Sequence, residues 1–258
     1  SVFKDLNSIV NIKIKKTYLN KNEFVNDLNG QITFNNNKIN QLDLKSFFPN
    51  NRKLTLTINT NKKNEKITTL FSDYPKPLVK QYKFIKGFEE GVLDFYSVTK
   101  NDTSNSVLVI DDFKLQEVPI LAKLLTLASL QGISDLLTGE GIRFTDFEMK
   151  FSNNKGLMTI DELYAIGPAI SILLDGYIES KKLISLRGTL VPATTINRTI
   201  ASIPLIGDLL VGKKVGEGVF GVSFKVKGPP ENIKTTVNPV KTLTPRFITR
   251  TLEKIKKN

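Results

Sequence analysis

The chain contains no cysteine, no histidine and no tryptophan. The first two absences exclude a Ser-His-Asp triad, a cysteine nucleophile, an imidazole or thiolate metal site and any disulfide. No cofactor, metal or catalytic residue is expected. Lack of cysteine does not identify a redox compartment; it says only that the fold holds without disulfides. Long apolar runs are missing as well. The most apolar region, 118–137, is interrupted by Lys123, Gln131 and Asp135, too often for a membrane-spanning helix. The opening stretch SVFKDLNSIVNIKIKK is charged throughout and does not read as a signal peptide. It begins at Ser1 in an alternating pattern, so the chain is read as a piece of a longer protein.

What is present points to a folded, basic, strand-rich chain. The 258 residues are 40% apolar, enough to bury a core in one large domain or two small ones. Lys and Arg number 37 against 25 Asp and Glu, a formal charge of +12. The excess is +5 over 1–113, zero over 114–200 and +7 over 201–258, so it belongs to the two ends. A pI near 9.6 raises nucleic-acid binding. However, the cations are scattered over strands and tail, without a recognition helix or aromatic-basic interleaving, and no nucleic-acid partner is expected. Fifteen of the 23 asparagines fall in 1–64, a bias of the kind an AT-rich genome produces, and it is given little functional weight.

Period-two patterns dominate. In KLTLTIN, Leu54, Leu56 and Ile58 face one way and Thr55 and Thr57 the other. In VFGVSFKVKG, Phe220, Val222, Phe224 and Val226 share one face, and Ser223, Lys225 and Lys227 point to water. Further strands are predicted over 8–18, 28–34, 39–46, 66–71, 91–98, 106–113, 143–151, 156–165, 169–179, 183–190 and 233–238. Turn signals such as Asn29-Gly30, Asp175-Gly176 and Gly228-Pro229-Pro230 separate them.

Helical spacing appears at 115–138, where Leu121, Leu124, Leu125 and Ala128, and then Leu127, Leu130, Ile133, Leu136 and Leu137, recur with a helical period. One long amphipathic helix is predicted there, kinked at Gly132 and ended by Gly139. A second is predicted at Pro245 to Lys256, capped by Thr244, with Leu243, Phe247, Ile248, Leu252 and Ile255 as its apolar stripe. Short helical pieces fit 75–85 and 196–211. Many antiparallel strands with few helices make a β-rich α+β chain, and the lack of alternating helices excludes a parallel α/β fold. Residues 1–113 form a β-rich segment and 114–258 a helix-plus-strand region.

Two glycine patterns imitate nucleotide sites. Gly207 to Lys213 fits the first seven places of a P-loop, but Lys214 stands where a hydroxyl should bind Mg²⁺. Gly216, Gly218 and Gly221 fit G-x-G-x-x-G, but an alternating strand follows instead of a helix. The carboxylate pairs Glu89-Glu90, Asp111-Asp112 and Asp161-Glu162 are strand neighbours that point to opposite faces, so none is an acid/base pair. No enzyme activity is expected.

Four ordered stretches carry a resemblance. They are YPKPLVKQYKFIKGFEEGVLDFYSV (74–98), the 106–156 stretch with DDFKLQEVPILAKLL and GEGIRF, the 162–212 stretch with AIGPAISILLDGYI, GTLVPATTIN and IPLIGDLLVG, and the 216–252 stretch with GVFGVSFKVKGP and VNPVKTLTPRF. Together they resemble the C-terminal region of AsmA-like proteins, closest to the YhdP-like branch. Their order over about 170 residues, rather than any single motif, carries the likeness. Residues 1–73 agree only in style.

The resemblance implies a distal periplasmic segment of a longer protein anchored in the inner membrane of a Gram-negative bacterium. It implies an elongated, curved antiparallel sheet forming a groove with an apolar concave face, and phospholipid as the bound partner. The implied function is phospholipid transfer between inner and outer membranes and maintenance of the outer-membrane barrier. From alternation alone, an apolar strand face packs on a helix or a second sheet. The resemblance makes Leu54, Leu56, Ile58, Phe220, Val222, Phe224 and Val226 groove-lining candidates instead. The 115–138 helix either plugs the groove end or dips into a leaflet. Arg246, Phe247, Arg250, Lys254, Lys256 and Lys257 on the C-terminal helix are candidates for contact with an anionic membrane surface. The alternative function, drawn from the TamB-like relatives, is a periplasmic scaffold that assists outer-membrane protein assembly through envelope protein partners.

Overall fold

The structure, a computed structural model, describes residues 7–80, 87–192 and 221–240. Thirteen strands form one antiparallel sheet in which every strand pairs with its sequence neighbours. They are β1 (Ser8–Tyr18), β2 (Phe24–Asn35), β3 (Lys38–Phe48), β4 (Arg52–Thr60), β5 (Lys66–Ser72), β6 (Gly87–Lys100) and β7 (Thr103–Gln116), then β8 (Ile142–Asn154), β9 (Leu157–Ile166), β10 (Ile170–Glu179), β11 (Leu183–Pro192), β12 (Gly221–Gly228) and β13 (Lys234–Val240). All thirteen predicted strands are present, most of them longer than the alternation indicates. The sheet is open: β1 and β13 are its edges. The division drawn at 113/114 falls inside β7, which pairs with β6 on one side and β8 on the other.

The tight connections between strands account for part of the asparagine bias. Asn36, Asn37, Asn64 and Asn101 sit in these tight connections with positive φ, as do Asn50 and Asn51 between β3 and β4. The short amide side chain of Asn tolerates that left-handed backbone better than other non-glycine residues. A meander of short connections uses one such turn after another, so a share of the asparagine is local turn chemistry.

Three helices are described: α1 (Lys76–Val79), α2 (Pro119–Leu127) and α3 (Gln131–Thr138). The single long helix predicted over 115–138 is not there. Leu115 and Gln116 end β7, and the remainder is two helices broken at 128–130, not at Gly132. The break has a physical cause. Leu130 N–H donates to Leu125 O at 2.9 Å and Ser129 N–H to Thr126 O at 3.0 Å, the two bonds of a Schellman stop. Ser129 takes the left-handed position with φ +57, where glycine is usual. Ser129→Gly is therefore expected to raise stability by about 0.5–1 kcal/mol, because relief of left-handed strain exceeds the added chain entropy. Urea unfolding checks this, and a loss of stability would show that the strain is absent. The C-terminal helix predicted at 245–256, the 196–211 piece and the Gly207–Lys213 pattern lie outside the described residues.

The core lies where the helix pair meets one face of the sheet. Leu121, Leu124 and Leu125 of α2 and Leu137 of α3 are buried against Phe113, Ile142, Phe144, Ile170, Leu190 and Phe224. Phe113 stacks between Phe88 and Phe144 with ring centroids 5.4 Å from each, and meets Phe147 edge-on at 6.1 Å. The pair reaches from β7 and β8, which α3 touches, to β13, which α2 touches.

Candidate functional site

Partner residues in an antiparallel ladder lie on the same face, so register assigns faces across the sheet. One row of direct partners runs through all thirteen strands: Ile12, Gly30, Leu44, Leu56, Leu70, Phe95, Leu108, Met149, Leu163, Leu174, Gly188, Phe224 and Val237. Every member is apolar or glycine. At about 4.8 Å per strand the row is roughly 58 Å long. The parallel row through Val10, Ile32, Leu42, Ile58, Phe151, Ile160, Leu186 and Val226 lies on the same face. Thr68, Ser97, Ser106, Gly176 and Thr235 fill its other places. Ser106 and Ser97 satisfy each other by a hydrogen bond of 2.9 Å.

The opposite face is mostly polar. Its central row includes Lys13, Asn29, Lys45, Thr55, Asp94, Glu148, Thr189, Ser223 and Asn238, with Phe71, Val109, Tyr164 and Leu173 between them. Cross-strand pairs on this face include Asn11–Gln31 at 2.9 Å, Thr57–Thr69 at 2.6 Å and Arg187–Asp175 at 2.8 Å.

Six of the residues singled out from sequence are described, and they lie on the apolar face in two environments. Leu54, Leu56 and Ile58 are half-buried. Val222, Phe224 and Val226 are buried, 7%, 3% and 2% exposed, and Phe224 and Val226 belong to the core beneath the helix pair. Lys225 and Lys227 are exposed on the other side of β12. Phe220, Arg246, Phe247, Arg250, Lys254, Lys256 and Lys257 lie outside the described residues. Sequence reasoning missed Leu44, Leu70, Phe95, Leu108, Leu163 and Leu174, which join Leu56 to Phe224. Each strand shows their alternation, but only the register shows that they form one row.

The two ends of the apolar face differ. At the end where β7 gives way to α2, the helices and the aromatic cluster close it. There α1 is pinned to β6 by Lys76, whose ammonium donates to both Glu89 oxygens at 2.6 and 2.8 Å. That hydrogen bond, with the carboxylate charge, raises the Lys76 pKa above the ordinary 10.5. The neighbouring Glu90 instead meets Arg143 at 2.7 Å, so the Glu89-Glu90 pair serves two separate ion pairs. At the opposite end, a hydrogen bond from Asn61 and then one from Lys100 lower the Glu65 pKa. Bonding to Glu179 raises that of Lys182.

A raised lysine pKa stabilises the fold fully below the unfolded value, and the contribution fades as pH rises through the folded value. Lys76→Gln is thus expected to cost under about 1 kcal/mol at neutral pH, since the pair is partly exposed. Urea unfolding of both proteins should converge above the raised value; an equal difference at both pH values would mean that the pair is not the cause.

Among the described residues no group of three or more acidic side chains is placed to hold a metal ion, and no helix is long and apolar enough to cross a membrane. No protein family, curated protein or solved structure matches this chain.

Proposed function

We propose that this chain is a lipid-binding segment of the AsmA-like kind, holding phospholipid acyl chains along the apolar face of its sheet for transfer between the inner and outer membranes of a Gram-negative envelope. The observation that carries the reading is the unbroken apolar row from Ile12 to Val237. A sheet with one apolar and one polar face ordinarily buries the apolar face under a second layer. Here the described helices pack on β6, β7, β8 and β13, while Leu44, Leu56, Ile58 and Leu70 stay half-buried.

Each methylene removed from water on that surface contributes about 0.8 kcal/mol. The hydrocarbon of one bilayer leaflet is about 15 Å deep, so a row several times longer offers a path rather than a single seat. The finer features of this reading are a sheet that curves into a groove around the chains, a helix pair that plugs one end and a basic C-terminal helix that meets the membrane surface. In this reading the segment works in the periplasm, holds no cofactor and catalyses no reaction.

One observation favours the scaffold reading. The edge strand β1 exposes Ile9 (64%), Val10 (43%), Ile14 (46%) and Tyr18 (63%) beside a backbone edge that no described strand pairs, the features used in pairing with a strand of another protein. Lipid extraction and mass spectrometry of the chain purified without detergent separate the two. Bound phospholipid is the expected result; lipid-free protein that captures outer-membrane protein strands would replace the first reading by the second.

A further inference from the structure

The apolar face ends, opposite the helix plug, in a cavity of about 270 Å³ between the tips of the β2–β3 and β4–β5 hairpins. Its chemistry differs from that of the face it adjoins. Lys38, Lys66 and four asparagines, Asn35, Asn36, Asn40 and Asn64, are among its lining residues, and no acidic residue is. Register fixes its position relative to the stripe. Thr60 follows Ile58 by two residues on β4 and so shares its face, and Lys66 is the direct partner of Thr60. Lys66 therefore stands on the apolar side of the sheet, at the start of β5 beside the strand that carries Leu54, Leu56 and Ile58, whereas Lys38, the partner of Asn35 beyond the bulge at Thr33 and Phe34, lines the cavity from the other side of the β2–β3 tip.

Among the described residues neither lysine has an ion-pair partner; the ion pairs there involve other cations. The adjacent acid, Glu65, is held by Lys100 at 3.2 Å and by Asn61 at 2.9 Å. Two cations without an ion pair among the described residues, beside several asparagines in a concave site, favour a compact anion with several acceptor oxygens. The volume fits one polar group rather than a whole amphiphile.

We infer that this cavity is a phosphate subsite at the polar end of the apolar face. Two sources share that chemistry: the headgroup of a lipid whose chain lies along Ile58 and Leu56, and free phosphate. The lipid source rests on the acyl-chain reading; the anion site itself does not.

Calorimetric titration of the full chain tests it with three probes: lysophosphatidylglycerol, the monoacylglycerol of the same chain, and inorganic phosphate. Lys38→Gln and Lys66→Gln are each expected to weaken lysophosphatidylglycerol binding about tenfold, the scale of a charge-assisted hydrogen bond, and to leave the monoacylglycerol unchanged. Lys13→Gln, which removes the same charge from the opposite face, should change neither by more than about twofold. An equal loss in Lys13→Gln would reduce the effect to net charge and overturn the inference. Unchanged lysophosphatidylglycerol binding in the two cavity variants, with the monoacylglycerol still bound, overturns the inference and leaves the acyl-chain reading standing. Binding of inorganic phosphate alone, lost in both cavity variants, supports the anion site with free phosphate as its ligand and removes the acyl-chain reading. If no probe binds, both fall.

Discussion

Phe224→Asp is expected to leave the protein unfolded or melting far below the wild type. The ring is 3% exposed and lies in the core cluster with Leu125, Leu137 and Leu190. Its partner across β11 is Gly188, and a Cβ built there would come within 2.6 Å of Phe224 Cζ. The ring thus occupies the space that a side chain on β11 would need. A carboxylate in its place loses the burial of a phenyl ring and leaves a charge away from water with no cation given to it. Truncation of a buried phenylalanine alone costs about 3–5 kcal/mol, and an unpaired buried charge adds several more. The sum approaches the whole stability of a typical domain, about 5–15 kcal/mol. Circular dichroism and thermal melting read the result. A variant that melts with the wild type would mean that the ring faces open space and that the helix pair does not close this end of the sheet.

That expectation divides the residues which alternation alone had grouped. Leu54, Leu56 and Ile58 and the set Val222, Phe224 and Val226 show the same period of two, and the sequence places them all on an apolar face. Alternation cannot say what covers a face. The cover over Phe224 comes from α2 and α3, more than 80 residues earlier in the chain, and depends on how the strands between them pair. Register was equally hidden. Bulges between Asn26 and Asn29, Thr33 and Phe34, Lys150 and Phe151, and Leu174 and Gly176 offset one strand against its neighbour, so counting by twos loses the face. The start of β2 was missed for this reason: Asp27 takes φ +51, and the buried Val25 falls out of step with Leu28 and Ile32.

The strands themselves were legible because β-branched and apolar residues alternate between strong turn signals. The helix break was not, because the left-handed stop is a serine and the leucines on either side keep helical spacing through it. The cavity at the hairpin tips gave no signal either. Lys38 and Lys66 are 28 positions apart and line one cavity only because β3 pairs with β4 and β4 with β5.

Leu56→Asp, in contrast to the change at 224, is expected to fold and, under the proposed acyl-chain function, to bind no lipid. Leu56 stands mid-strand in the central row, between Leu44 and Leu70, and all three are half-buried. A carboxylate there reaches water when the face is empty, so the cost to folding is the lost partial burial of one leucine, about 1–2 kcal/mol. An acyl chain lying on the row meets that charge directly. Lifting about three methylenes away from it forfeits about 2–2.5 kcal/mol, a fall in affinity of about fiftyfold. The Asp rather than an Ala variant is needed, since Ala removes area but leaves the path apolar. Urea unfolding and lipid extraction on the same preparation read both arms. Unfolding would show that the face over β3–β5 is as closed as that over β12, and retention of lipid by a folded variant would place the chains away from this row. A folded, lipid-free protein is the outcome that an open apolar face requires, because only there are the demands of folding and of binding made by different surfaces.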